Sequence, residues 1–472
     1  MSSQDASDCE KDVIEDQFVA ERRLGDHALT KKITHPELHR ATSTLSRIAS
    51  RISTREDIDP GPPPDGGLRA WTQVAIGFTA CFCTWGFINA SLPHLPTISF
   101  GVFQTYYTSA LGEPQSTISW VGSVQLWVVF FMSAFSGRAL DAGLLIPTFA
   151  VGCTIQLFGI FMTSLCKVFW QLVLAQGICT GLGAGIFFTP TMGLVTTYFK
   201  KRRGLAVAIV SSGNSVGGAV YPTIVRQLLP KIGFAWTIRV VGFVNLVLLG
   251  LCLAFLRPRL PPRKAGPLVE WKPFTEAPYV CVLVGMSFVF GGLFFSYYYL
   301  ASFGRDILHM SYSDSLTLLI IFNGAGVPVR LATGYIADRF LGPLNAVVPL
   351  LFINALFALC WIAVKSQAGM YVFATFYGFS AGAFQCLMPT VVTSLNNDLQ
   401  RNGIRMGMAF SLFSFAGLAG PPIGGALLTT NGGGRGGYLV AQLCLGILTA
   451  VGASLMCAAR VYKAGWSLKV KC

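Results

Sequence analysis

One positively charged side chain stands out in this sequence because of its surroundings. Arg330 is the only Lys, Arg, Asp or Glu in residues 316–337. A guanidinium at membrane depth costs about 3 kcal/mol or more unless it faces a cavity or a partner, so such a residue indicates a functional site. Its planar fork stays charged and can meet both oxygens of a carboxylate. Arg330 therefore predicts an anion contact.

Three further residues are candidate contacts for the same small molecule. Asn323 precedes Arg330 by seven residues, which places it two helical turns away on the same face. Tyr106 and Tyr107 close the first long apolar segment. Asn323 can equally be a packed, hydrogen-bonded amide, and the same alternative holds for the two tyrosines. Both interpretations stay open at this point.

The composition places these residues in a membrane protein. Hydrophobic residues make up 53% of the 472 residues and charged residues 12%, against roughly 25% charged in soluble domains. The mean hydropathy is +0.58. Apolar segments of about 20 residues, long enough to cross a bilayer as helices, recur without the polar alternation of a membrane β-barrel. We predict an all-α integral membrane fold with twelve transmembrane helices, at about 72–107, 117–137, 146–165, 170–193, 204–225, 236–256, 279–301, 316–337, 343–364, 370–393, 406–428 and 438–459.

The formal net charge of +14 is concentrated in alternate loops. Lys and Arg cluster after the fourth, sixth, tenth and twelfth segments, at Lys200, Lys201, Arg202, Arg203, Arg257, Arg259, Arg263, Lys264, Arg401, Arg405, Arg460, Lys463, Lys469 and Lys471. The positive-inside rule then predicts a multi-pass protein of the cell membrane with both termini cytoplasmic. The basic excess is explained by topology, so we expect no nucleic-acid partner.

The remaining composition sets the domain boundaries and excludes other classes. Residues 1–64 are polar and Pro-rich at their end, which predicts a disordered cytoplasmic tail, regulatory or inert. We predict one half at 65–256, a cytoplasmic central loop at 257–278, a second half at 279–465 and a short tail at 466–472. The thirteen cysteines are scattered, with no metal-ligand spacing. We expect no metal, no cofactor and no enzymatic activity, since no catalytic constellation is visible.

Two short motifs repeat six segments apart. Gly137 to Gly143 follows the second segment and Gly334 to Arg339 follows the eighth, each with Gly and Asp four residues apart. Two parallel six-helix halves are implied. We predict a conformational gate formed by Gly137, Arg138, Asp141, Gly143, Gly334, Asp338 and Arg339. We expect both aspartates to brace the cytoplasmic ends of neighbouring helices, where a carboxylate near a helix start contributes roughly 0.3 to 1 kcal/mol. For Asp141, a simple loop cap and a conformational switch are equally open.

A stripe of glycines lies in the fourth segment. Gly177, Gly181 and Gly185 recur every four residues, and Gly181 to Gly185 superficially resembles a nucleotide-binding loop. The stripe sits inside an apolar segment with no preceding soluble strand. It is therefore interpreted as a surface for close helix packing.

The loop of the form Gly-x-x-x-Asp-x-Gly after the second segment and its echo after the eighth resemble those of the major facilitator superfamily. The Asp65-Gly66-Gly67 segment before the first helix is similar to a signature of the monocarboxylate transporter family. Further segments resemble the fungal branch of that family: 100–107, 198–203, 220–230 and 405–411. The resemblance covers residues 62–465. It implies that Arg330 matches the family arginine that pairs with the substrate carboxylate, and that Arg203 matches a second arginine of the binding site.

Three departures from that family bear on mechanism. Proton-coupled members of that family carry an acidic residue four positions before the arginine, which is Gly326 here. They also carry a lysine in the first helix, whereas no Lys occurs between Lys32 and Lys167. Val207 stands where the family has an asparagine in the fifth helix. No predicted segment contains Asp or Glu. These features favour facilitated diffusion or a proton carried by the substrate, and a substrate bulkier and more apolar than lactate.

The first predicted segment is about 37 residues long and contains Pro93 and Pro96. Residues 90–98 read as an insertion in the family pattern. A broken helix that lines a cavity and an error in the gene model explain it equally well.

The sequence thus predicts a transporter that moves a small organic acid across the plasma membrane by alternating access. An exporter of a fungal secondary metabolite is the main alternative, and a non-transporting nutrient sensor is a second one. The expected partners are the lipid bilayer and a small, anionic substrate; an ancillary protein subunit stays open.

Overall fold

The computed structural model describes residue 61 and residues 63–91, 115–259, 269–396, 402–430 and 434–466, all within one compact unit, Asp59–Cys472. The predicted tail, the predicted insertion at 90–98 except its first two residues, and the candidate contacts Tyr106 and Tyr107 lie outside these ranges. The described residues are helical almost throughout.

Twelve helices of membrane-spanning length follow one another in the described residues. Their bounds are α1 Leu68–Ser91, α2 Gln115–Phe131 with Ser133–Asp141, α3 Leu145–Thr163, α4 Phe169–Tyr198, α5 203–232, α6 234–255, α7 Ala277–Asp306, α8 Tyr312–Ile336, α9 Pro343–Cys360, α10 Gln367–Ser394, α11 Asn402–Leu428 and α12 Gly434–Ala464. A short 3₁₀ helix, Lys272–Thr275, precedes α7.

Eleven of these helices are apolar enough as well as long enough to cross a membrane. The other, α10, has 28 residues and packs against α8 and α9 in the same bundle. The predicted twelve-helix fold is confirmed. The described part of the first segment ends at Ser91, so α1 alone has the length of one crossing.

Three helices depart from regular geometry. Within α4, Val173–Thr180 forms wide π-type turns. A continuous helical run, Arg203–Phe255, is divided into α5 and α6 at Gly233, whose φ of 74° only glycine adopts easily. A second π-type turn, Ala337–Leu341, follows α8 and ends at Gly342, with a φ of 83°.

Large apolar side chains cover the outer surface of the bundle. Phe158, Val247, Leu251, Leu356 and Phe376 are each about half exposed. Such continuous apolar exposure would be a liability in water. In a bilayer it is the surface that contacts lipid chains, which agrees with a multi-pass membrane protein.

The glycine stripe of α4, interpreted from the sequence as a packing surface, packs against α2. A Cβ added to Gly177, Gly181 or Gly185 would meet the carbonyl oxygens of residues 121, 125 and 129, at 3.3, 3.0 and 2.5 Å respectively. The four-residue period of the glycines therefore matches the four-residue period of the facing carbonyls. Close approach of these two backbones depends on the absence of side chains.

The two halves of the bundle meet through α2 with α11 and through α5 with α8. We call the end of the bundle that carries Lys200, Lys201, Arg202 and Arg405 the basic end. There, a methyl group on Gly137 would overlap the carbonyl of Gly403, and one on Gly407 would overlap that of Ser133. The basic end is closed by direct backbone packing.

The two aspartates that the sequence predicts as gate residues cap helices of the opposite half. Asp141 accepts hydrogen bonds from the backbone N–H groups of Gly403 and Ile404 at 3.1 and 2.8 Å, at the start of α11. Asp338 accepts from those of Gly204 and Leu205 at 2.7 and 2.8 Å, at the start of α5. Each carboxylate satisfies two otherwise unbonded amides and faces the positive end of a helix dipole. Each aspartate thus binds the start of a helix of the opposite half.

The other predicted gate residues occupy the same end of the bundle. Gly143 ends the turn after α2 with a φ of 75°, and Gly334 packs against the backbone of Gly204. Arg339 lies over the rings of Tyr335 and Phe340, at 5.8 and 5.6 Å from their centroids. Arg138 lies in the last turn of α2.

The helix packing predicts that Gly185→Val is destabilising. The new Cβ would lie 2.5 Å from the carbonyl oxygen of Val129, so α2 and α4 must separate. We expect a cost of about 1 to 3 kcal/mol, measured as a lower melting temperature of the purified protein. Gly250→Val is the matched control, because nothing lies within 4 Å of Gly250. An equal fall in both variants would contradict the packing.

The gate geometry predicts that Asp141→Asn loosens the start of α11. An asparagine offers one oxygen where the carboxylate offers two, so one amide loses its acceptor and the charge is lost as well. We expect faster hydrogen–deuterium exchange in peptides covering 403–408. The control is Asp306→Asn, whose carboxylate accepts from Tyr438 at 3.0 Å at the opposite end. Unchanged exchange at 403–408 would exclude the bracing contact.

Candidate functional site

A cavity of about 50 Å³ lies between the two halves. Eight helices line it: α1, α2, α4 and α5 from the first half and α7, α8, α10 and α11 from the second. Its polar lining residues are Asn89, Ser211, Asn214, Tyr297, Arg330 and Gln385. Its apolar lining is mostly aromatic. Arg330, selected from the sequence as an anion contact, is therefore a cavity residue.

Arg330 is buried, with 1% of its surface exposed. One terminal nitrogen, Nη1, donates to the carbonyl oxygen of Ser211, and Nη2 donates to Oε1 of Gln385 at 2.9 Å. Its Nε has no hydrogen-bond partner among the described residues. Both acceptors are neutral, so the guanidinium is solvated by dipoles and keeps donor capacity for a charged group.

Gln385 connects Arg330 to both halves. Its Oε1 also accepts from Nδ2 of Asn214 at 3.0 Å, and its Nε2 donates to the hydroxyl of Tyr297 at 2.9 Å. Oδ1 of Asn214 in turn accepts from Nδ2 of Asn89 at 3.3 Å. A continuous chain of amides thus runs from α8 through α10 to α5 and α1.

Glycines on α8 and α10 allow this contact. A Cβ on Gly382 would lie 2.8 Å from Cα of Gly326 and 3.3 Å from Nε of Arg330. A Cβ on Gly378 would lie 2.5 Å from the carbonyl of Phe322. The position where the resembling family carries an acidic residue, Gly326, therefore serves close packing here, and it brings α10 near enough for Gln385 to reach Arg330.

Prolines interrupt three helices beside the cavity. Pro328 lies two residues before Arg330, Pro389 four residues after Gln385, and Pro190 two residues after Phe188. Each proline lacks the N–H that would bond the carbonyl four residues earlier and so permits a local bend. Bends at cavity depth are common in membrane helices that line a site.

An aromatic cluster forms the rest of the wall. Phe130 of α2 is central: its ring centroid lies 5.4 Å from Trp85, 5.1 Å from Phe290 and 5.7 Å from Phe410. Phe188 lies 6.0 Å from the same ring, and the pairs are tilted or edge-on, the arrangements that aromatic rings favour. We name Trp85, Phe130, Phe188, Phe290, Phe294 and Phe410 the aromatic wall.

This arrangement suits a molecule with two unlike ends. Arg330 and the amides can bind oxygen atoms, while the aromatic wall can cover a planar or apolar body. A volume of about 50 Å³ exceeds that of one water, which needs about 10 to 15 Å³, but does not hold an organic acid of drug-like size. A larger molecule requires the halves to move apart.

Two of the predicted contacts lie away from the cavity lining. Asn323 is buried on α8 and donates to the carbonyl of Leu319 at 3.0 Å, while its Oδ1 has no partner among the described residues. Arg203 lies at the basic end, where it donates to the carbonyl of Phe199 at 3.4 Å and interacts with Asp338 and Asp65. The structure does not bring Arg203 near Arg330, so a substrate contact there stays a prediction for a conformation with an open basic end.

The sequence interpretation did not select five polar residues of the cavity. These are Asn89, Ser211, Asn214, Tyr297 and Gln385. Neutral amides inside apolar helices usually pack against neighbouring helices, so they carry little signal alone.

Comparisons with known proteins agree with this architecture. Residues 74–400 match the Major Facilitator Superfamily profile. An MFS-type transporter of Gibberella zeae is 42% identical over 418 residues, covering 88% of this chain and 92% of the relative. The MFS-type transporter dbaD of Emericella nidulans is 38% identical, covering 77% and 80%. The aspyridones efflux protein apdF of the same organism is 36% identical, covering 79% and 74%.

A solved structure shares the fold. The crystal structure of the human organic anion transporter MFSD10 superposes with a TM-score of 0.64 at 15% identity, covering 82% of this chain and 99% of that one. At that identity the likeness concerns the fold alone. The chain belongs to the major facilitator superfamily and is a multi-pass membrane transporter similar to fungal MFS-type transporters.

Proposed function

We propose that this transporter exports a lipophilic organic acid of the secondary-metabolite type, with Arg330 as its anion contact. The observation that carries the proposal is a buried guanidinium with neutral acceptors on one side of a cavity whose remaining wall is aromatic. A charged head and an apolar body match these two surfaces.

The chemistry of Arg330 supports a substrate that carries an anionic group. A guanidinium forms two parallel hydrogen bonds with a carboxylate, and charge-assisted bonds are stronger than those to neutral acceptors. A substrate carboxylate can therefore compete for donors that now meet Ser211 and Gln385. The same residue supports the proposed kinship with monocarboxylate transporters.

The aromatic wall supports a body larger than that of lactate. Phe130 and Phe410 are buried, with 2% and 0% of their surfaces exposed, and contact each other across the two halves. Rings of this kind stack on planar or conjugated groups and contribute about 0.5 to 1.5 kcal/mol per pair beyond area burial. A permease for small monocarboxylates is the second candidate, supported by Arg330 but not by this wall.

The direction of transport is proposed from a relative. The aspyridones efflux protein is named for efflux and is 36% identical. We propose the same direction here, across the plasma membrane, with both termini cytoplasmic and the basic end facing the cytoplasm.

Alternating access is the proposed mechanism. In the described conformation the basic end is closed by the contacts of Asp141 and Asp338. Opening that end breaks four hydrogen bonds to helix amides and separates α2 from α11, while the cavity enlarges. None of the described residues lining the cavity is Asp, Glu, His or Lys, so we propose facilitated transport or a proton carried by the substrate.

A binding series tests this function. We use cinnamate, cinnamamide and lactate with the purified protein and measure melting shifts and uptake into proteoliposomes. Cinnamate is expected to bind and to be transported, and lactate and cinnamamide to do so poorly. Arg330→Met is expected to weaken cinnamate binding about 10- to 100-fold, the equivalent of a charged hydrogen bond of roughly 1.5 to 3 kcal/mol.

Arg330→Lys and Arg435→Met complete the series. Lysine keeps the charge but not the planar fork, so an intermediate loss is expected. Arg435 is exposed at the start of α12, and its removal should leave cinnamate binding unchanged. Equal binding of cinnamate and cinnamamide, or undiminished cinnamate transport by Arg330→Met, would contradict the proposal.

A further inference from the structure

Gln385 holds the position that an anionic oxygen takes in a carboxylate site. Its Oε1 receives two donors at once, Nη2 of Arg330 at 2.9 Å and Nδ2 of Asn214 at 3.0 Å. Convergence of a guanidinium and an amide on a single oxygen is typical of carboxylate recognition. Here the oxygen belongs to the protein.

The contacts around this oxygen cross between the halves. Arg330 and Gln385 lie on α8 and α10 of the second half, whereas Ser211 and Asn214 lie on α5 of the first half. Arg330 reaches the first half directly through the carbonyl of Ser211 and indirectly through Gln385 and Asn214. The donors that suit a substrate anion are therefore the donors that hold the halves together at cavity depth.

We propose that Gln385 is a surrogate ligand for Arg330, displaced by the substrate anion. This rests on the proposed function of Arg330. A substrate carboxylate that takes Nη2 leaves Oε1 of Gln385 without its charged donor and weakens the link to Asn214. Binding thereby loosens one connection between α10 and α5. Gln385 is a positioning and selectivity residue in this account.

The surrogate has a consequence for the transport cycle. A buried arginine without acceptors is costly, because breaking a buried charge pair leaves an uncompensated charge. Ser211 and Gln385 supply neutral acceptors from the protein itself. The halves can then close around Arg330 without a substrate, and net transport in one direction is possible without obligatory exchange.

A purely structural amide is the competing explanation, and small-anion rescue separates the two. Gln385→Ala removes the surrogate oxygen and leaves room beside Arg330. We expect a lower melting temperature that sodium formate raises by several degrees relative to equal sodium chloride. Wild type and Gln442→Ala should show a much smaller formate effect, because formate must displace Gln385 there, and the double variant Gln385→Ala with Arg330→Met should show none. Gln442 is the matched control, a buried glutamine of α12.

A second variant tests the proposal even if Gln385→Ala does not fold. Gln385→Glu places a permanent carboxylate beside Arg330, so we expect a melting temperature at or above that of wild type and at least a tenfold loss of cinnamate affinity. A purely structural amide predicts a lower melting temperature instead, because glutamate cannot donate the hydrogen bond that Nε2 of Gln385 makes to the hydroxyl of Tyr297. No formate effect in Gln385→Ala, or destabilisation by Gln385→Glu, overturns the proposal.

The transport consequence is measured with cinnamate-loaded proteoliposomes. Gln385→Leu should reduce efflux into substrate-free buffer severalfold more than exchange against external cinnamate, because only the former requires closure without substrate. Equal reduction of both rates contradicts the surrogate role. If wild type does not carry cinnamate, the proposed function fails, while the formate and glutamate experiments still decide the role of Gln385.

Discussion

The buried charge of Arg330 is the constraint on which the site depends. A guanidinium at this depth must be solvated by the protein or by a bound molecule, and here a backbone carbonyl and a glutamine side chain do so. Neutral acceptors are weak enough to be displaced by an anion, whereas a carboxylate partner would compete with the substrate. The glycine contact between α8 and α10 makes this possible, since Gly326 and Gly382 let Gln385 approach. Where proton-coupled members of the resembling family carry an acidic residue, this chain has Gly326. The charge of Arg330 is instead solvated by the neutral acceptors of Ser211 and Gln385.

The predicted gate and the candidate site share the same helices. Asp338 caps α5 at Gly204 and Leu205, and the same helix carries Ser211 and Asn214 to the cavity about two to three turns further on. Asp141 of α2 binds the start of α11 in the same way. Each half therefore supplies one carboxylate that caps the fifth helix of the other half. The symmetry extends to the segments before α1 and α7. Asp65 accepts from the amide of Lys201 at 2.7 Å beside Arg203, and Glu270 lies 3.4 Å from Arg405. Motion of α5 or α11 therefore changes the gate and the cavity wall together.

The fold was predictable because its signals are long and redundant. Apolar segments of bilayer length, basic residues in alternate loops and a repeated Gly-Asp motif each indicate the same twelve-helix architecture. The period of Gly177, Gly181 and Gly185 indicated close helix packing, while the partner helix, α2, is visible only in the structure. Arg330 was also visible, since an isolated charge is costly in an apolar helix. Gln385 was not, because an amide 55 residues away becomes informative only when α8 and α10 are packed. The apparent loss of polarity at Gly326 and Val207 is offset in the structure by Asn89, Asn214 and Gln385.

The most direct measurement is a cryo-EM structure of the protein with 4-bromocinnamate, whose bromine marks the orientation of the molecule. We predict its carboxylate within about 2.7 to 2.9 Å of the Arg330 guanidinium nitrogens, its ring against Phe130 and Phe410, and the Gln385 side chain rotated away from Nη2. A carboxylate bound elsewhere, with Gln385 still on Arg330, would show that Arg330 is not the anion contact.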